Sequence, residues 1–159
     1  HLPLANDNSK QRDKIVLDIV RRAKNGVAME IDIDDIPDLA PIFGVLLARL
    51  KGKSVLKNCA RLKIKECDRL AATAEILNKF GIKAVICGDD LEIYGGTIKG
   101  GVEVDSYGDH RMAMMAAIMA SFAKEKVVIK NAQVCAKSYP DFWEKYLALG
   151  GDINVINIR

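Results

Sequence analysis

In "LKIKECDRLAATAEILNKFG" Lys65, Glu66 and Arg69 gather around the first turn of a predicted helix whose buried stripe is Leu70, Ala74, Leu77 and Phe80. The positive end of a helix dipole favours acids in that turn, and an arginine there becomes sensible if an anion is to be bound at that helix end. In "GDHRMAMMAAIMASF" Arg111 repeats the anomaly at the head of an apolar helix, beside Asp109 and His110. Lys137 is a further cation at a helix entrance, just ahead of "SYPDFWEKYLALGG". Arginine supplies flat, two-pronged donors and lysine a point charge. Lys65, Arg69, Arg111 and Lys137 together therefore suit a ligand that carries phosphate and carboxylate groups. Two acids accompany them. Asp38 closes "DDIPD" and starts an apolar helix, and Glu66 sits between cations. A carboxylate among cations stays ionised and accepts a proton, whereas a partly buried one can be tuned to donate, so the two provide a base and an acid.

Each of these residues also has a plainer reading. Glu66 and Arg69, three apart, pair on a helix surface for roughly a few tenths of a kcal/mol. Asp38 and Asp109 serve as N-caps, and Arg111 pairs with a neighbouring acid instead of a ligand. His110 is a packed, hydrogen-bonded histidine, Lys137 a solvated lysine, and Asp32, Asp34 and Asp35 form a solvated strand edge. The glycines of "KAVICGDDLEIYGGTIKGG" punctuate a hairpin and lack the GxxxxGK[ST] order of a phosphate loop. With two histidines, His1 and His110, and four cysteines in no CxxC pair, the expectation is no metal and no cofactor.

These side chains must be placed by regular elements. Strands are predicted at about 28–33, 53–58, 83–87, 91–94, 101–105, 126–130 and 152–157, and helices at about 11–24, 38–50, 66–80, 110–123 and 139–149. Pro41 fits a first helical turn, and "SYPD" makes Ser138 an N-cap with Gly150-Gly151 closing that helix. The chain also matches itself. "KSVLKNCARLKIKECDRL" from Lys53 lies against "KVVIKNAQVCAKSYPDFW" from Lys126, with the shared Lys-Asn offset by 73 residues. Upstream, Asp38 pairs with Asp109, offset by 71. A truncated copy, "KQRDKIVLDIVRRAKNG" from Lys10, opens the chain. The expected architecture is α/β: repeated βαβαββ units over residues 1–27 (truncated), 28–100 and 101–159, forming an incomplete domain. Repetition puts the equivalent ends of successive units in comparable places, which favours convergence of the cations.

The 159 residues are 50% hydrophobic and 28% charged, a globular composition with a real core. A net charge of +3 with few, scattered aromatics gives no ground for a nucleic-acid partner. No apolar run is long enough to span a membrane, and the cysteines read as reduced cytoplasmic thiols. The chain starts on His1, which suggests a piece of something longer.

Taken in order, "IDIDDIPDLAPI", "RLKIKECDRL", "DHRMAM" and "AKSYPDF" resemble the 5-enolpyruvylshikimate-3-phosphate synthase family, over about Met29 to Gly150. The resemblance implies helices packed between mixed sheets in an inside-out α/β barrel. It implies transfer of the enolpyruvyl group of phosphoenolpyruvate to shikimate 3-phosphate with release of phosphate. This is a cytoplasmic step of aromatic amino-acid biosynthesis and the target of glyphosate, run without a metal. Asp38 matches the family's proton acceptor, which also contacts shikimate hydroxyls. Lys65 matches a lysine on that substrate, and Glu66 the proton donor. Arg69, Arg111 and Lys137 match the phosphoenolpyruvate-binding cations, and His110 lines the site. Arg61 stands where some members carry asparagine, and Cys67 where Thr or Ser is common. The amino-terminal segments in which the family carries its "KS" and "GTxxRP" motifs do not appear in this sequence. The expectation is therefore a carboxy-terminal part that is inactive alone and needs the amino-terminal part. The alternatives are the sister transferase acting on UDP-N-acetylglucosamine and a non-catalytic anion-binding module.

Overall fold

The computed structural model describes residues 12–154 and 156. A short 3-10 turn at Arg12–Lys14 leads into helix α1, Ile15–Ala23, which buries Ile19 and Ala23. Lys10 and Gln11, which open the truncated copy, lie outside the described residues. Strand β1, Glu30–Asp32, is followed by a 3-10 turn at Pro37–Leu39 and by helix α2, Ala40–Ala48, with Pro41 in its first turn. Strand β2 is Lys53–Lys57, helix α3 Arg69–Lys79, and strands β3 and β4 are Lys83–Cys87 and Asp90–Tyr94. Strand β5, Val102–Asp105, helix α4, His110–Ala120, strand β6, Val127–Lys130, and helix α5, Phe142–Ala148, complete the order.

β1 and β2 run parallel, and β4 joins β2 antiparallel and carries β3 outside it. The β3–β4 hairpin turns on Gly88 and Asp89, with Gly88 at φ 65°, a left-handed conformation that glycine adopts without a steric cost. β5 and β6 form a separate parallel pair across α4. Parallel strands need such a crossover, which is why each pair is bridged by a helix. Glu30–Asp32 pairs in register with Val55–Lys57, as Glu103–Asp105 does with Val128–Lys130. Side chains repeat with the same spacing. Lys57 Nζ meets Glu30 at 2.6 Å, and Lys130 Nζ meets Glu103 at 2.5 Å. Asn58 and Asn131 both turn left-handed, at φ 60° and 55°, and their side-chain amides donate to Asp32 (2.8 Å) and Asp105 (3.5 Å). Each then opens a 3-10 helix, Cys59–Ile64 or Ala132–Lys137.

Helices α2, α3 and α4 pack on one another between the two sheets. Their interface buries Phe43, Leu47, Leu70, Ile76, Leu77, Met112 and Met115 almost completely. Burying each such side chain contributes about 1.5–3 kcal/mol. Gly44 sets the approach of α2 to α3: a Cβ there would stand 3.1 Å from Thr73 Cγ2. A smaller cluster fixes α5, where Phe142 lies with Ala113, Ala117, Val134 and Cys135. Trp143 Nε1 donates to the Ala132 carbonyl at 3.1 Å, and the Tyr146 hydroxyl to that of Ala117 at 3.2 Å.

Two expectations need correction. The helix after Lys137 starts later than its sequence suggests. Asp141, not Ser138, precedes its first residue, and Ser138 instead ends the 3-10 helix. Pro140 removes a backbone donor there and biases Tyr139 away from helical geometry. The strand expected at 152–157 does not form over 152–154, where the chain makes no ladder pairing; residues 155 and 157–159 lie outside the described residues. A strand needs a neighbour to pair with, and β6 has only β5 beside it among the described residues.

Candidate active site

Three helix entrances meet at one place. Asp38 sits in the 3-10 turn that leads into α2, Arg69 is the first residue of α3, and Asp109 caps α4. The Asp109 carboxylate accepts from the Arg111 backbone N–H at 2.8 Å, as an N-cap should. Asp68 does the same for α3, accepting from Ala71 N–H at 3.0 Å. The first turn of α3 thus has its acid at the cap, which offsets the cost of an arginine immediately after it.

Arg69 is the hub. Its Nε donates to Asp109 at 2.7 Å, one terminal nitrogen to Asp38 at 2.8 Å, and the other to Glu66 at 2.5 Å, with a longer 3.4 Å contact back to Asp109. The side chains of Arg69 and Asp109 are 1% and 0% exposed. Arg69 is therefore a buried cation held among carboxylates. Burial of a guanidinium is tolerated only when its donors are satisfied, and here three carboxylates take them. Burial by itself would lower the proton affinity of Arg69, but the hydrogen bond and charge of Asp109, with Glu66 and Asp38, raise it above its ordinary value.

Asp38 is accessible, with its side chain 42% exposed, as is Glu66, at 49%. One oxygen faces Arg69 at 2.8 Å and Lys65 Nζ at 3.4 Å, and the other faces Arg111 at 3.0 Å. Arg111 also donates to the Asp38 backbone carbonyl at 3.3 Å, while its Nε is buried without a partner. Burial pushes the Asp38 carboxyl up, but Arg111, Lys65 and Arg69 together outweigh that and hold it below its ordinary value. In this arrangement Arg111 is paired with a neighbouring acid, as its plainer reading had it.

Of the other residues singled out, His110 lies beside the cluster, its Nδ1 3.9 Å from Asp109, too far for a hydrogen bond. Lys137 reaches the same loop, donating to the Gly108 carbonyl at 3.3 Å, but touches none of the three carboxylates. Arg61 is spent elsewhere, donating to the Asp34 carbonyl at 2.8 Å. Two participants escaped the sequence reading. Asp109 is legible as a cap but not as the buried partner of Arg69. Cys67 places its sulfur 3.8 Å from Asp109, and burial, then the nearby carboxylate, pushes its thiol up to about 11, so it is a neutral neighbour and not a nucleophile.

A family is defined first by the fold. The enolpyruvyl transferase NikO from Streptomyces tendae superposes on 80% of this chain with 29% of its own, TM-score 0.66, at 19% identity, a likeness of fold alone. EPSP synthase from Acinetobacter baumannii superposes on 70% of this chain with 27% of its own, TM-score 0.66, at 28% identity. The fold is therefore that of the enolpyruvyl transferases, an α/β architecture of which this chain covers a part. The sequence profile of EPSP synthase (3-phosphoshikimate 1-carboxyvinyltransferase) matches residues 8–146. The 3-phosphoshikimate 1-carboxyvinyltransferase of Clostridium acetobutylicum is 39% identical over 162 aligned residues, 94% of this chain and 38% of that protein. The chain belongs to the EPSP synthase family, and it spans well under half the length of the curated relatives it matches.

Proposed function

We propose that this chain supplies one side of the active site of a 3-phosphoshikimate 1-carboxyvinyltransferase, the remaining contacts coming from sequence outside it. The observation that carries the reading is the meeting of Lys65, Arg69 and Arg111 with Asp38 and Glu66 at three helix entrances. Two phosphorylated acids need several cations, and addition followed by elimination needs groups that move protons. In the addition, the 5-hydroxyl oxygen of shikimate 3-phosphate bonds to C2 of phosphoenolpyruvate. Its proton goes to Asp38, and Glu66 protonates C3. In the elimination, the bond from C2 to the phosphate oxygen breaks and C3 gives its proton back, restoring the double bond. Lys65 steadies the shikimate substrate, while Arg111 and Lys137 neutralise phosphoenolpyruvate directly and Arg69 adds its buried charge from behind them; His110 lines the site.

The chain divides, in this reading, into a truncated unit over 1–27 and successive units over 28–100 and 101–159. The recurring pairs Lys57–Glu30 and Lys130–Glu103 support the last two. A cytoplasmic location fits a biosynthetic transferase; among the described residues no helix is long and apolar enough to cross a membrane. A coupled phosphate-release assay tests the function. This chain alone should give no turnover, and adding the amino-terminal region of a family member should restore it. Normal turnover by the chain alone would refute the shared site, and none after complementation would refute the transferase reading.

A further inference from the structure

The cluster contains as many carboxylates as cations: Asp38, Glu66 and Asp109 against Lys65, Arg69 and Arg111. With no net charge between them, these six side chains leave no unpaired cation to attract an oxyanion. Of the three acids on Arg69, Glu66 belongs to its own segment, and the two that come from other helix entrances differ in kind. Asp109 is fully buried, caps α4 and holds the arginine through Nε, so it cannot leave without exposing a helix end and stranding a buried charge. Asp38 is 42% exposed, caps nothing through its side chain, and touches all three cations at once. Arg111 is incompletely satisfied, since its Nε is buried without an acceptor.

We propose that Asp38 is the site's internal counter-anion: it keeps Lys65, Arg69 and Arg111 gathered while no ligand is present, and yields Lys65 and Arg111 to a small oxyanion when one enters. The proposal rests on reading the cluster as an oxyanion site. Binding is then an exchange, in which a phosphate or carboxylate group takes over contacts that Asp38 gives up. The exchange also links occupancy to chemistry. Asp38 is a weak base while three cations face it, and regains proton affinity once Lys65 and Arg111 turn to the ligand. Asp109 meanwhile keeps Arg69 in place, so Arg111 and Lys65 make the larger adjustment.

The test is a titration of this chain with sulfate at constant ionic strength, comparing the wild type with Asp38→Asn. The amide keeps the shape and removes the competing charge. The variant should bind sulfate about tenfold or more tightly, the change expected for roughly 1.4 kcal/mol of relieved competition. Equal or weaker binding by the variant would mean that Asp38 helps to hold the anion, and the proposal fails. Undetectable binding by both proteins also overturns it, while the phosphate-release assay with the amino-terminal region still decides the transferase reading separately. If Asp38→Asn does not fold, the wild type suffices. Sulfate should shift the side-chain Nε–H signal of Arg111 by NMR and leave that of Arg69 in place; the reverse pattern, or no shift in either, overturns the exchange.

Discussion

Arg69 shows how much a single side chain is asked to do here. Its guanidinium joins α3 to the entrances of α2 and α4 through Asp38 and Asp109, with Glu66 from its own segment. Replacing it with Met should cost about 3–5 kcal/mol in urea unfolding, because Asp109 would be left buried and unpaired. A loss below about 1 kcal/mol would mean that the pair is not closed in solution. Arg69→Lys should recover little of the loss, since one ammonium cannot reproduce a planar fork aimed at three carboxylates. Asp38 gives a pH signature. Its carboxyl is held below 3.8 by Arg111, Lys65 and Arg69 against the opposing effect of burial, so folding is favoured by its ionised form. That contribution is complete above the unfolded value and is lost as pH falls through the lower folded value. The stability advantage of wild type over Asp38→Asn should thus be constant near neutrality and shrink below pH 3.8, as measured by denaturant titrations across the acid range. An advantage that grows on acidification would contradict the ion pairs.

At the scale of elements, the two β-α-β crossovers differ in sequence but share their joints. After β2 and β6 the chain must reverse into a 3-10 helix, and Asn58 and Asn131 do this in a left-handed conformation. Asparagine tolerates that region because its short amide bonds locally. Ala at either position should cost about 1–2 kcal/mol, from the strain of a left-handed L-residue. Gly removes that strain but also the side-chain bond. Asn58→Gly should therefore lose more stability than Asn131→Gly, since the Asn58–Asp32 contact is 2.8 Å and the Asn131–Asp105 contact 3.5 Å. Equal losses by denaturant titration would rule out this ranking. Most strand and helix positions were legible in the chain, because periodicity, the Gly-Asp turn of the β3–β4 hairpin and the caps are local signals. The late start of α5 was not, because "SYPD" carries a capping pattern that Pro140 overrides.

Across the whole molecule, packing is uneven. The core between the sheets is built by α2, α3 and α4, whereas α5 rests on a satellite cluster around Phe142. Amide hydrogen exchange should show stronger protection over 69–79 than over 142–148, and Phe142→Ala should abolish protection in α5 while sparing α3. Simultaneous loss in both helices would show one cooperative unit instead. The sequence by itself determined which residue types are present, where the helices lie to within a few residues, and that Lys65, Arg69, Arg111, Asp38 and Glu66 stand at or beside helix entrances. Those features follow from hydrophobic period, capping and dipole, which act over a few residues. Only the tertiary structure decided which charge meets which. Asp38 and Arg111 are 73 residues apart, and Arg69 and Asp109 are 40 apart, yet each pair lies within hydrogen-bond reach. Packing of the three helices brings their entrances together, and burial there turned an arginine that looked free for a ligand into the shared partner of three carboxylates.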